Sequence, residues 1–211
     1  MKSSRTGRCG GRAVSAAPFL PERLSLPALG EAVQRCRGCP LYANATQAVF
    51  GQGRRSARVM LVGEQPGHHE DRAGKPFVGP AGQLLDRALD EAGIDRRETY
   101  VTNAVKHFKW KPRGTRRIHD KPSWSEQLAC RPWLEGELAV IAPEVLVLLG
   151  ATAAQTFFGR SFRVTRDRGR SPHSDLAKTV IATIHPSAIL RSRECEEMLR
   201  GLVADLTLAN P

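Results

Sequence analysis

RVMLVGEQPGHHEDRAGKPFVGPAG, residues 58–82, runs an apolar segment into a loop crowded with Gly, Pro and acidic residues, with a helix behind it. Val59, Met60, Leu61 and Val62 form a continuous apolar run, which reads as a strand buried on both faces, as in a parallel sheet covered by helices. Gly63 ends it, and the Gly and Pro residues that follow hold the backbone in turns. In an open α/β sheet the crevice beyond the strand carboxyl ends is the usual binding position, so Glu64, Gln65 and the backbone around them are placed to face a ligand. GEQPG is neither GxGxxG nor part of GxxxxGK(S/T), so both nucleotide fingerprints are missing. Two readings stay open for the loop. It is a tight strand-to-helix connection, or it is a binding loop, long for a βα connection, in which Phe77 offers a flat wall to a planar ligand.

Outward from this stretch, residues 81–92 place Leu84, Leu85, Ala88 and Leu89 on one helical face. TYVTNAV, Thr99 to Val105, reads as a second buried strand that delivers Asn103 near its carboxyl end. Its side-chain amide carries both a donor and an acceptor, suited either to reading a planar amide edge or to capping the next loop. PEVLVLLGATAA, from Pro143, is a third strand passing into a helix, and TVIATI is a fourth that ends directly at His185. Polar groups thus converge on one sheet edge from separate parts of the chain. The predicted fold is α/β: a three-layer α/β/α arrangement around a central, mainly parallel four-stranded sheet, closed by an amphipathic helix over 194–208.

The chain has 211 residues and a net charge of +11, with 32 Lys and Arg against 21 Asp and Glu. That length suits a single domain, taken as residues 26–211, behind a basic, disordered lead over residues 1–25. The positive surplus fits a nucleic-acid partner. Lys106 to Lys121 is the most basic segment, a cationic loop with Phe108 and Trp110 interleaved, suited to a phosphate backbone and ending near His119. A loop histidine is commonly just solvated, so composition alone assigns His119 nothing. RVTRDRGR, residues 163–170, is a second basic cluster. No run approaches the roughly 18 apolar residues of a membrane span and no signal peptide is evident, so a cytoplasmic protein without a membrane partner is expected.

Five cysteines in a cytosolic chain point to metal or catalysis before disulfides. Cys36 and Cys39 form a CxxC, with Cys130 far downstream in QLACRPWL. A thiolate-rich site of this kind suits zinc or an iron–sulfur cluster. Spacing leaves the fourth ligand open: Cys9 and Cys195 lie in poor contexts, and His107 competes with them. Buried cysteines without a metal are the remaining reading.

Taken together, GEQPG with Glu70 and Asp71, KPFVGPAG, VTNAVKH, the CxxC with ACRPWL, LLGATAA and HPS resemble the family 4 uracil-DNA glycosylases, from about Arg35 onward. RRIH, Arg116 to His119, and His107 after VK resemble more closely the UdgX subgroup, which excises uracil and stays covalently attached to the abasic sugar. The resemblance implies a [4Fe–4S] cluster on Cys36, Cys39, His107 and Cys130. It implies that Phe77 stacks on a flipped uracil and Asn103 reads its Watson–Crick edge, with backbone from Gly63 to Gln65 and Asp71 completing the substrate-binding set. His185 would donate to the uracil carbonyl as negative charge builds there. His119 would attack the sugar C1′, Glu64 would orient it or take its proton, and Arg117 would hold the loop and a phosphate. Ile189 or Leu190 would fill the vacated stack. The expected partner is uracil-containing DNA, single strands accepted, met by a monomer. A turnover glycosylase with His119 as a bystander, and a noncatalytic iron–sulfur DNA-binding module, are the alternatives.

Overall fold

Strand residues that alternate between two apolar layers need helices on both sides, and the chain supplies them. A computed structural model of the protein describes residues 14–169 and 175–210. In chain order the elements are α1 (Leu26–Val33), β1 (Gln52–Gly53), β2 (Val59–Gly63), α2 (His68–Ala73), α3 (Pro80–Glu91), β3 (Thr99–Asn103), β4 (Trp110–Arg113), β5 (Arg116–His119), α4 (Trp124–Ile141), β6 (Val145–Leu149), α5 (Ala151–Phe158), α6 (Val164–Asp167), β7 (Thr179–Thr183), α7 (Pro186–Ile189) and α8 (Cys195–Thr207). Val59, Leu61, Val101, Val147 and Ile181 face a layer built from α3, α7 and α8. Met60, Val62, Tyr100, Leu146, Leu148, Val180 and Ala182 face the other layer, under α4 and α5. Both faces of the sheet are dry, which is why its strands read as unbroken apolar runs.

The central sheet has the order β1-β3-β2-β6-β7, with β3, β2, β6 and β7 parallel. The expected α/β class and mainly parallel sheet hold, but the sheet has five strands, not four. The extra one, β1, is a two-residue antiparallel edge against Tyr100 and Val101 of β3, too short to leave a period-two signal. Successive connections leave β2 in opposite directions, first to β3 and later to β6, so the switch point lies between β2 and β6.

The cationic loop is also corrected. Within Lys106 to Lys121, β4 and β5 pair as an antiparallel hairpin, Trp110 opposite His119 and Arg113 opposite Arg116. Gly114, at φ 59°, opens its two-residue turn. Neither face of this ribbon is packed into the core, so its side chains show no apolar alternation, and Pro112 is tolerated because both strands are edges. The loop after β2 likewise contains a short helix, α2.

Helix starts follow their caps. The Ser25 hydroxyl accepts from the Ala28 N–H at the head of α1, and Ser123 with Glu126 forms a reciprocal capping box at the head of α4. Of the lead expected over residues 1–25, residues 1–13 lie outside the described part, as does Arg170 of the second basic cluster. Residues 14–25 join the fold: Ala16 is buried and its N–H donates to the Ala129 carbonyl at 2.7 Å, so packed chain starts before residue 26. Among the described residues no helix is long and apolar enough to cross a membrane.

Candidate active site

The carboxyl ends of β2 and β3 are locked together before any side chain acts. The Ala104 N–H donates to the Gly63 carbonyl at 2.9 Å, and the Val105 N–H donates to that of Glu64 at 3.0 Å. Gly63 is the floor of the recess between them. A Cβ built there would stand 2.4 Å from Asn103 Oδ1 and 2.7 Å from Phe77 Cζ, so the two side chains approach the bare backbone as closely as a glycine permits. Phe77 takes φ 55°, a left-handed conformation costly for an aromatic residue, about 1–3 kcal/mol. The surrounding loop holds it there: Glu70 is buried and accepts from the Gly67 N–H at 3.0 Å and the Gly79 N–H at 2.8 Å, bracketing the segment that carries Phe77.

His185 arrives from the end of β7, where it caps α7. Its ring lies near-parallel to Phe77, with centroids 6.0 Å apart. Nδ1 accepts the Ser187 backbone N–H at 3.1 Å and lies 2.8 Å from the Ser187 hydroxyl. A neutral ring accepting at Nδ1 carries its proton on Nε2. Burial, and then the nearby His119 and Arg191, push its pKa down to about 4, so the ring is a neutral Nε2–H donor at ordinary pH.

Glu64 sits across the switch point. One carboxylate oxygen accepts the Thr152 hydroxyl from the start of α5, and the other lies 3.3 Å from His119 Nε2. The His119 side chain is half exposed, at the open end of the hairpin, with its ring 6.3 Å from that of Phe108. Gly63, Glu64, Phe77, Asn103, His185 and His119 are therefore brought to one edge.

Three other candidates lie at the hairpin's anchorage. Gln65 is buried, and its amide clamps both hairpin ends: Oε1 accepts from the Lys109 N–H at 3.0 Å, while Nε2 donates to the Lys109 and Asp120 carbonyls at 3.1 and 3.0 Å. Asp71 is fully buried and accepts from the Thr46 N–H, the Thr46 hydroxyl and Arg117 Nη1, the last at 2.7 Å. The Arg117 guanidinium also stacks over Phe108 and Trp110, each 5.5 Å from ring centroid to Cζ, and donates to His68 Nδ1 at 3.2 Å. The side chains of Gln65, Asp71 and Arg117 thus tie the hairpin to the loop after β2. Ile189 is buried in the core, leaving Leu190, half exposed, as the apolar residue at the rim.

The thiols form a separate group behind β3. Cys36, Cys39 and Cys130 are buried in one apolar cluster with Trp133. The Trp133 indole N–H donates to Cys36 Sγ at 3.2 Å, and the Lys106 backbone N–H donates to Cys130 Sγ at 3.3 Å. Burial pushes the Cys130 thiol up to about 12, with Cys39 and Cys36 adding to the rise and Lys106 opposing it. Cys39 is likewise raised, first by burial, with Cys36 adding to it. His107 is buried, and that burial pushes its pKa down to about 4 against the opposing influence of Asp71. Cys195 is exposed, and Cys9 lies outside the described residues. Among those residues no three His, Cys, Asp or Glu side chains converge on a single-ion site.

Sequence reading missed Thr152, Glu70, Ser187 and Thr46. Each acts by supporting another residue; LLGATAA, the ED pair and HPS hinted at Thr152, Glu70 and Ser187, and nothing hinted at Thr46.

A parallel sheet with polar groups gathered at its switch point defines a ligand-binding α/β protein. The uracil DNA glycosylase superfamily model matches residues 50–207, and the chain belongs to that superfamily. A Type-4 uracil-DNA glycosylase of Thermotoga maritima is 40% identical over 182 residues, 86% of this chain and 91% of that protein. Type-4 uracil-DNA glycosylases of Sulfurisphaera tokodaii and Pyrobaculum aerophilum are 35% and 36% identical, over 83% and 80% of this chain and 80% and 86% of their own lengths.

Proposed function

We propose that the protein excises uracil from DNA by hydrolysis and turns over. The observation that carries this reading is the grouping of Phe77 and Asn103 against the bare backbone of Gly63, with a neutral His185 beside Phe77, in a chain related to Type-4 uracil-DNA glycosylases. A flipped base lies against the Phe77 ring, and the Asn103 amide meets its Watson–Crick edge. Cytosine places an amino donor where uracil has a carbonyl, so a fixed amide separates them. As the C1′–N1 bond breaks, its electron pair goes to the base, and His185 Nε2–H donates to the carbonyl that gathers the charge. Water adds its oxygen to C1′ and passes a proton to Glu64, which Thr152 holds in place.

A second reading is favoured by one distance: His119 Nε2 is 3.3 Å from Glu64 Oε1. In it His119 gives its Nε2 proton to Glu64 and that nitrogen attacks C1′ in place of water. The resulting C–N bond has a poor leaving group and the protein stays attached, as in the UdgX subgroup that RRIH resembles. Incubation with a uracil-containing single-stranded oligonucleotide, followed by boiling in detergent and a denaturing gel, decides between them. Alkali-labile sites in molar excess over protein, without a retarded band, support turnover. One retarded band per protein, absent with thymine and lost in His119→Ala, establishes capture. Neither signal overturns the glycosylase reading and leaves a binding module.

Cys36, Cys39, Cys130 and His107 are proposed to hold a [4Fe–4S] cluster that ties the N-terminal segment to α4 and β3. The burial of the three thiols in one cluster and the two N–H donors to sulfur support it. Iron and labile sulfide in an oxygen-free preparation are the expected result; zinc alone, or no metal, overturns it. The same reading takes single-stranded DNA as accepted substrate, one chain as the acting unit and the cytoplasm as its place.

A further inference from the structure

Behind Asn103 lies an ion pair with no exposed atom. Lys106 and Glu137 both have fully buried side chains and are in direct contact. The Lys106 ammonium has three acceptors: Glu137 Oε2, the Thr102 hydroxyl at 2.7 Å and the Asn103 carbonyl at 2.8 Å. Glu137 in turn takes the Tyr100 hydroxyl at 2.9 Å, the Thr102 hydroxyl at 2.9 Å and the Gly51 N–H at 3.1 Å. Every donor of the ammonium is therefore used, and both carboxylate oxygens are engaged. A buried ion pair is a poor source of stability, because desolvation offsets its attraction. Its use here lies in what it touches. The ammonium pins the main chain of Asn103, whose own side chain stands against Gly63, and the Lys106 main-chain N–H reaches Cys130 Sγ.

We propose that Lys106 and Glu137 are positioning residues for base selection: the pair fixes the Asn103 peptide, and with it the amide that reads the base, against the cysteine-bearing wall. The inference rests on the glycosylase reading above. The pair touches no substrate atom. It acts through Asn103, by removing the freedom of the β3 carboxyl end that would let the amide tilt away from a uracil edge. An isolated hydrogen-bonding amide on a loose strand end would accept either pyrimidine; one with its peptide anchored by a saturated ammonium would not.

The test is a double-mutant cycle on single-turnover uracil excision, using the full chain purified without oxygen. Glu137→Gln keeps the shape of the side chain and removes its charge. Lys106→Met with Glu137→Leu removes the pair entirely, a replacement that buried pairs often tolerate in stability. Each is combined with Asn103→Ala. In the Asn103 background we expect the pair variants to lower uracil excision at least tenfold and to weaken inhibition by free uracil by a similar factor. Affinity for uracil-free DNA at fixed salt should stay unchanged. In the Asn103→Ala background the same substitutions should cost less than twofold, because what they position is gone. Equal losses in both backgrounds, or full activity in a folded pair variant, overturn the proposal. Absence of excision by the unaltered protein would instead overturn the glycosylase reading itself, so the two failures are distinct. Should neither pair variant fold, Thr102→Val supplies the cycle, since it takes one acceptor from the ammonium while keeping the β-branched strand shape.

Discussion

The strand-end recess and the β4–β5 hairpin face the same space, yet they are held in different ways. Gly63 and Asn103 stand at strand ends set by the sheet's own hydrogen bonds, Phe77 is held beside them by the Glu70-braced loop, and all three are buried. The hairpin that brings His119 is largely exposed and has no apolar face in the core. Its attachment is a handful of side chains: Gln65 at its open end, Arg117 to Asp71, and Trp110 Nε1 to the Asn44 carbonyl at 2.8 Å. The recess thus has a geometry that only gross changes disturb, whereas the hairpin's placement depends on few contacts. On the proposed reading, base recognition is built into the fold, and the group presented to the sugar is an attachment to it.

The most direct way to break the comparison is to disturb the recess while leaving the hairpin alone. Gly63→Ala puts a methyl 2.4 Å from Asn103 Oδ1, and one of the two side chains must give way. Displacing a reading group by about 1 Å costs on the order of 100-fold in rate, so uracil excision in a single-turnover assay should fall by about that factor. A full-rate Gly63→Ala protein would show that Asn103 and Phe77 do not define the base site.

His185 gives a second prediction of similar size. Removing one such donor typically costs about 100- to 1,000-fold, and His185→Leu should fall in that range. The titration adds a sign. Its pKa is depressed by burial from the ordinary 6.5 to about 4, so the folded protein binds fewer protons than the unfolded chain between those values. The stability it contributes is fully present above pH 6.5 and is lost as pH falls toward 4. In denaturant titrations at pH 7 and 4.5, the unaltered protein should lose about 2 kcal/mol more than His185→Leu, a figure discounted for partial exposure of the ring. An equal loss in both proteins would show that His185 is not held neutral.

The hairpin should respond more mildly. Arg117→Ala removes the ion pair to buried Asp71 and the stacking on Phe108 and Trp110, but leaves Asp71 with both Thr46 donors. A loss of about 3 kcal/mol follows, the lower end for breaking a buried pair, with roughly tenfold slower chemistry and unchanged discrimination between uracil and cytosine. Arg117→Lys should recover little, since an ammonium reproduces neither the planar fork nor the stacking. Melting curves with paired uracil and cytosine oligonucleotides check it. Lost discrimination would tie the hairpin to base reading and dissolve the distinction between the two regions.

The same contrast explains what the sequence disclosed. Val59 to Val62, Val145 to Leu149 and Val180 to Ala182 read as buried strands because both sheet faces are covered, leaving uninterrupted apolar runs. Glu64, Asn103 and His185 could be placed at one edge because each directly follows such a run. The hairpin gave no such signal: Lys111, Arg113 and Arg116 are exposed on a ribbon with no dry face, so its charges suggested a loop. Gln65, Asp71 and Arg117 have the residue types expected of a binding site, but their contacts are with one another's loops. Which way a polar side chain turns is fixed by tertiary packing, and local pattern does not encode it.

The smallest effect concerns the hairpin tip, where Arg113 and Arg116 are exposed and have no carboxylate partner among the ion pairs of the described residues. Free guanidinium groups on a ribbon beside the recess are suited to phosphate contacts, which position DNA without reading it. Each phosphate contact contributes about 0.7 to the slope of log affinity against log salt for single strands. Arg116→Ser should therefore flatten that slope by about 0.7 and weaken binding of uracil-containing and uracil-free strands alike, with excision at saturating protein unchanged. A slope that stays put would remove the tip from the DNA path. A fall in excision at saturation would instead mean that the tip helps to place His119, so that the exposed end of the hairpin shares the positioning role assigned above to its buried anchors.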